Sequence, residues 1–217
     1  MKTLLLMVNN MKKNKKKYIV IGLIVLALIL FGTTWYLISN KEAAPVEEIK
    51  KEDDIKTNEF DYVLYENKSP LYKEYFAKLK ETLLKDEVNE EEYVKILSQL
   101  FVVDFYSLSE KKTSTDVGGL DFIYEDIKEN FILKATDTIY KYVESNVYGD
   151  RKQELPKVVS TTVTNVVKEA ITYDSVSDQE GYTVTVTIEY EKDMDYPKEV
   201  TLTFIHKEKK LYIVEVK

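Results

Sequence analysis

The sequence predicts an α+β fold: an N-terminal transmembrane helix and a tether, then three helices packed on a twisted antiparallel sheet of about four strands. Three observations predict it. Residues 18–38 form an uncharged apolar run long enough to cross a bilayer. From residue 68 apolar residues first recur at helical spacing, and in the final third they alternate singly. Helices followed by consecutive strands imply α+β, with an antiparallel meander packed on helices.

The membrane segment reads YIVIGLIVLALILFGTTWYLI, with Tyr18 at one end and Trp35 and Tyr36 near the other, where interfacial aromatics belong. Six lysines and no acids precede it; residues 41–59 carry four lysines and seven acids. The positive-inside rule then makes residues 1–17 a basic cytoplasmic tail and puts everything after residue 38 outside the cell membrane. A cleaved signal peptide has a shorter apolar run and a small-x-small site, whereas Ala43 and Ala44 here follow Lys41 and Glu42. MKKNKKK, from Met11, reads as a natural start, which makes residues 1–10 an extension. Residues 39–67 form an acidic tether, polar in its first part, with FDYVLY (60–65) close enough to pack on the domain that begins at residue 68. The run Glu52-Asp53-Asp54 lacks the alternating ligands and glycine of a calcium loop and reads as solvated linker.

Residues 68–217 are a normal size for one domain. Ser69-Pro70 supplies an N-cap and a first-turn proline, with Leu71, Tyr72, Tyr75, Phe76, Leu79 and Leu83 on one side. Asn89 and Glu92 resemble a capping box opening a helix with Tyr93, Ile96, Leu97, Leu100, Phe101 and Leu108 on one face. A third helix is expected from Asp121 to Glu144, its stripe Ile123, Ile127, Phe131, Ala135, Ile139 and Val143. Residues 158–176 are β-rich but slip in phase, which predicts a bulge. In GYTVTVTIEYE, residues Tyr182, Val184, Val186, Ile188 and Tyr190 share a face; in EVTLTFIHK, Val200, Leu202 and Phe204 do, and KLYIVEV ends the chain. DQEG, DMDYPK and KEKK mark turns.

Composition excludes several functions. There is no cysteine, hence no disulfide, thiol chemistry or lipidated-cysteine anchor. Beyond the membrane segment, 25 basic residues against 38 acids leave a net charge of −13. Nucleic-acid binding needs a basic footprint, so no nucleic-acid partner is expected. The single histidine, His206, shares the strand face of Leu202 and Phe204 and reads as a strand residue with a satisfied nitrogen. Without a second histidine or a cysteine, no metal site is expected, and no cofactor motif occurs: neither a G-x-S-x-G elbow nor a phosphate loop. The 17 tyrosines and 8 phenylalanines fall largely at core phase.

One residue breaks its local pattern. At about 100° per residue, Asp104 falls in the middle of the apolar face of the second helix. A carboxylate there needs donors or a raised pKa. The only adjacent glycine pair, Gly118-Gly119, lies a little further along, in TSTDVGGLDF. Leu120 and Asp121 come next, the wrong residues for a phosphate site, so the pair reads as a structural turn, with Asp116 or Asp121 capping the turn or the helix that follows. The spacing predicts that backbone N–H groups of the 113–119 loop donate to Asp104 and pin the loop to the helices.

The order of elements over residues 68–217 resembles the nuclear transport factor 2-like, or cystatin-like, α+β cone. A short cytoplasmic tail, one membrane helix and this domain outside is also similar to the plan of the bitopic scaffold subunit of bacterial type IV secretion and conjugation systems. The resemblance rests on element order and transfers no site residue. It implies a membrane-anchored, non-catalytic interaction or scaffold domain with a protein partner or a second copy of itself. The same superfamily includes ketosteroid isomerases, which place a carboxylate in a pocket between helices and sheet; the alternative is therefore a ligand-binding or isomerase-like domain with Asp104 as its candidate for chemistry.

Overall fold

The computed structural model describes residues 50–56, 60–174 and 176–217. The basic tail, the membrane segment 18–38 and the first part of the tether lie outside the described residues. Among the described residues no helix is long and apolar enough to cross a membrane. The elements run β1 (Lys51–Lys56), β2 (Asp61–Tyr65), α1 (Pro70–Leu83), α2 (Glu90–Tyr106), α3 (Glu125–Asp137), β3 (Val158–Tyr173), β4 (Val176–Tyr190), β5 (Glu199–Lys207) and β6 (Lys210–Val216). The described residues form an α+β fold, with three α-helices and an antiparallel sheet of order β3-β4-β5-β6.

The sheet's inner face follows the alternation in the sequence: Tyr182, Val184, Val186, Ile188, Val200, Leu202 and Phe204 are all buried. β3 breaks register against β4 at Val158/Ser160, Val163/Asn165 and Glu169/Ile171, as its slipping phase predicts. The DQEG stretch is not a turn: Asp178 and Gly181 lie inside β4, and the chain reverses at Tyr173–Val176, where Asp174 takes a positive φ of 50°. Gly181 is there because a side chain would strike Ile171 and the Phe204 carbonyl, 2.7 and 2.8 Å away.

α1 opens as expected, with Ser69 Oγ accepting from Tyr72 N–H. α2 opens on Asn89, whose Oδ1 accepts from Glu92 N–H. α2 is buried well beyond a single stripe; Val94, Ser98, Val102, Val103, Phe105 and Tyr106 join the expected face. The reason is position: α2 packs on β3 and β4 and also on α1. It ends at Tyr106, and Leu108 sits in a following 3-10 turn.

Two boundaries differ from the sequence reading. The acidic stretch does not stay a tether up to residue 67. β1 and β2 form a hairpin that places Ile55, Phe60, Tyr62 and Leu64 in the main core. Its acids stay solvent-accessible but are also paired: Glu52 with Lys73 at 2.6 Å, and Asp53 with Lys80 at 2.6 Å, both lysines on α1. The third helix spans 125–137, not 121–144. A 3-10 turn precedes it at Leu120–Phe122, and after Asp137 the chain breaks into turns that carry Tyr140 into the core. Of α3 itself, Ala135 alone is fully buried.

Candidate functional site

Asp104 sits two residues from the C-terminal end of α2 and is 8% exposed. Its two oxygens are taken by three donors. Lys111 Nζ lies 2.9 Å from Oδ1, Lys68 Nζ 2.8 Å from Oδ2, and Gly119 N–H donates to Oδ2 at 2.8 Å. Lys68 comes from the turn before α1, Lys111 from the 3-10 turn after α2, and Gly119 from the loop. Burial alone would raise the Asp104 pKa. The charges of Lys111 and Lys68, with their hydrogen bonds, overcome it and hold the carboxyl well below the usual range. The result is a carboxylate that stays ionised through the neutral range, with donors on both of its oxygens.

The two glycines serve this knot in different ways. A Cβ on Gly118 would lie 2.1 Å from the Asp104 carbonyl oxygen and 2.5 Å from Lys111 Nζ, so no side chain fits. Gly119 takes φ 75°, the left-handed region, and its N–H thereby faces Asp104. Gly118 N–H donates to Tyr140 Oη at 3.0 Å, and Tyr140 donates to the Phe105 carbonyl at 2.6 Å. That last contact satisfies one of the unpaired carbonyls at the end of α2 and explains why the third helix stops early. Asp116 Oδ2 accepts from Lys112 N–H at 2.9 Å, closing the loop; Asp121 is exposed and caps nothing. Arg151, the chain's single arginine, completes the region by donating to the carbonyls of Lys111 (2.8 Å), Ser109 (2.7 Å) and Glu144 (3.2 Å).

An apolar groove of about 460 Å³ lies between α3 and the sheet, with Phe105, Phe131, Ala135, Ile139 and Val214 in its walls. Asp104 is not among its lining residues. The carboxylate and the groove are therefore separate features.

A second polar cluster is one that residue spacing does not reveal. Both ring nitrogens of His206 face carboxylates: Nδ1 is 2.7 Å from Asp178 Oδ2, and Nε2 is 2.9 Å from Glu90 Oε1. Tyr182 Oη donates to Glu90 Oε2 at 2.6 Å, and Lys168 Nζ lies 3.2 Å from the same atom. His206 belongs to the wall of a cleft of about 550 Å³ that also includes Asp86, Glu87, Glu180 and Glu208. Among the described residues, no group of three or more histidines, cysteines and acids is arranged to hold a metal ion.

No family model, curated protein or solved structure matches the chain.

Proposed function

We propose that the chain is a single-pass, membrane-anchored protein whose C-terminal α+β domain lies outside the cytoplasm and acts as a non-catalytic interaction or scaffold module, a subunit of a cell-envelope assembly of the secretion or conjugation kind. The observation that carries the non-catalytic part is the state of Asp104. A general base or acid has to reach a substrate and exchange its proton near working pH; this carboxylate is buried, and two lysines and a backbone N–H hold it ionised with its pKa well below that range. Its network also ties the end of α2 to the loop and to the turn before α1, which is a structural task.

The interaction part is supported by what the domain exposes. Leu133, Tyr142, Val147 and Tyr148 are large apolar side chains on or just after α3, and the two tyrosines are 75% and 76% exposed. Their loop is braced from within: Gln153 donates to the Tyr142 carbonyl at 2.7 Å and accepts from Glu144 N–H at 2.9 Å, beside the Arg151 contacts. Exposed tyrosines on a pre-organised loop are the composition of interface hot spots. The membrane part is supported by the uncharged run 18–38 and the lysine excess before it.

Photo-crosslinking in native membranes tests the reading. A photoreactive residue at Tyr142 or Tyr148 is expected to give a discrete adduct with one protein or with a second copy of the chain. Absence of any adduct at these positions, together with turnover of a small molecule that Asp104→Asn abolishes, contradicts it.

A further inference from the structure

The His206 cluster joins parts of the chain that are remote in sequence. His206 is on β5, Asp178 on β4, and Glu90 is the first residue of α2. Carboxylates only accept hydrogen bonds, and a neutral imidazole has a single N–H. Both short contacts can therefore be hydrogen bonds only when the ring is an imidazolium. We propose that His206 is a pH-operated latch: protonated, it fastens the N-terminal turn of α2 to the sheet through Glu90, and neutral, it releases Glu90 while keeping Asp178.

The choice of which contact breaks is set by the surroundings. Asp178 is fixed to its strand and to β5: Oδ2 also accepts the His206 backbone N–H at 2.7 Å, and Oδ1 accepts Glu180 N–H at 3.0 Å. The neutral ring keeps its proton on Nδ1, toward Asp178, and turns the Nε2 lone pair toward Glu90. Glu90 then retains only Tyr182 from β4 and Lys168 from β3. Repulsion acts on the same segment. Asp86 and Glu87 precede α2, while Glu180 on β4 and Glu208 in the β5–β6 turn line the same cleft; Lys209 lies among them, Lys168 Nζ is 3.6 Å from Glu180 Oε2, and Lys85 pairs with Glu92 at 3.3 Å. Losing the imidazolium charge leaves that side of the cleft more negative, and residues 86–92 loosen from the sheet.

The direction of the pH dependence is defined. Burial lowers the His206 pKa, but its bonds to Asp178 and Glu90 raise it further, leaving it above 6.5. Its contribution is fully present below pH 6.5 and is lost as the pH rises through the raised folded value. For Glu90 and Asp178 burial is an upward pull, outweighed by their hydrogen bonds, so both lie below their ordinary 4.5 and 3.8. Their share is complete above those ordinary values and is lost in acid. The latch is closed between about pH 4.5 and 6.5 and opens on the alkaline side.

Because the chain has one histidine, its imidazole signals are unambiguous in NMR of the full-length protein in detergent micelles. The titration midpoint is expected above 6.5 and is expected to fall in Glu90→Gln. Hydrogen exchange of the Glu92 and Tyr93 amides, which bond to Asn89 Oδ1 and O, is expected to accelerate across that midpoint by more than the tenfold per pH unit of ordinary base catalysis. A midpoint at or below 6.5, or exchange that follows the intrinsic rate straight through it, overturns the latch; the wild-type protein alone suffices for both readings.

Discussion

Asp104→Ala removes the acceptor of three donors and leaves Lys111, which is 6% exposed, charged without a partner. Breaking a buried pair in this way costs about 3–5 kcal/mol, so a large drop in the denaturant midpoint is expected; wild-type stability in that variant would show that the knot is not structural. Gly118→Ala drives a methyl group into the Asp104 carbonyl and is expected to cost about 1–3 kcal/mol. Gly119→Ala is expected to destabilise through its positive φ and through contact with Phe101, 2.6 Å from where its Cβ would stand. The Asp104→Ala and Gly118→Ala effects share one network and are expected to be less than additive in a double-mutant cycle. The pH dependence has a definite sign. A depressed carboxylate contributes stability above its unfolded pKa of 3.8, and that stability is lost as the pH falls through the lower folded value. Acid melts below pH 3.8 are therefore expected to steepen in wild type relative to Asp104→Asn. Asp104 is visible in the sequence because a carboxylate interrupts an apolar helical face. Its lysines are not, because Lys68 and Lys111 look like any solvated lysine until the fold closes over them. His206 is visible, but Glu90 lies at a helix start among other acids, and Asp178 sits in a stretch that reads as a turn.

At the scale of elements, the β1–β2 hairpin separates two accounts of residues 50–65. The tether reading, with only FDYVLY packing on the domain, predicts that Ile55 does not matter for stability. The structure places Ile55 in the core at 1% exposure, so Ile55→Ala is expected to cost about 2–5 kcal/mol in equilibrium unfolding. An unchanged midpoint would return the segment to the tether. The strand is hidden in the sequence because KEDDIK carries a single apolar residue, and its acids are balanced by Lys73 and Lys80, whose arrival depends on how α1 packs. The sheet is far more legible, since alternation in β4 and β5 directly reports which side chains face the helices. The third helix is shorter than its stripe for a tertiary reason: the stripe continues through Ile139 and Val143, but Tyr140 leaves helical geometry to reach the Phe105 carbonyl.

At the scale of the whole molecule, charge and topology carry the functional reading. With 24 basic residues against 35 acids, a net charge of −11, a fragment of residues 50–217 is expected not to bind duplex or single-stranded DNA at physiological salt; tight, salt-sensitive binding in a mobility-shift titration would reveal a basic patch. The fold gives no reason to expect catalysis at Asp104, and it presents an exposed, braced tyrosine loop, so location decides how that surface is used. Protease accessibility in intact cells and protoplasts measures location directly. The account predicts that added protease removes the domain beyond the apolar run and spares a short N-terminal remnant. Full protection of the C-terminal domain until the membrane is permeabilised would contradict an anchored domain facing outward.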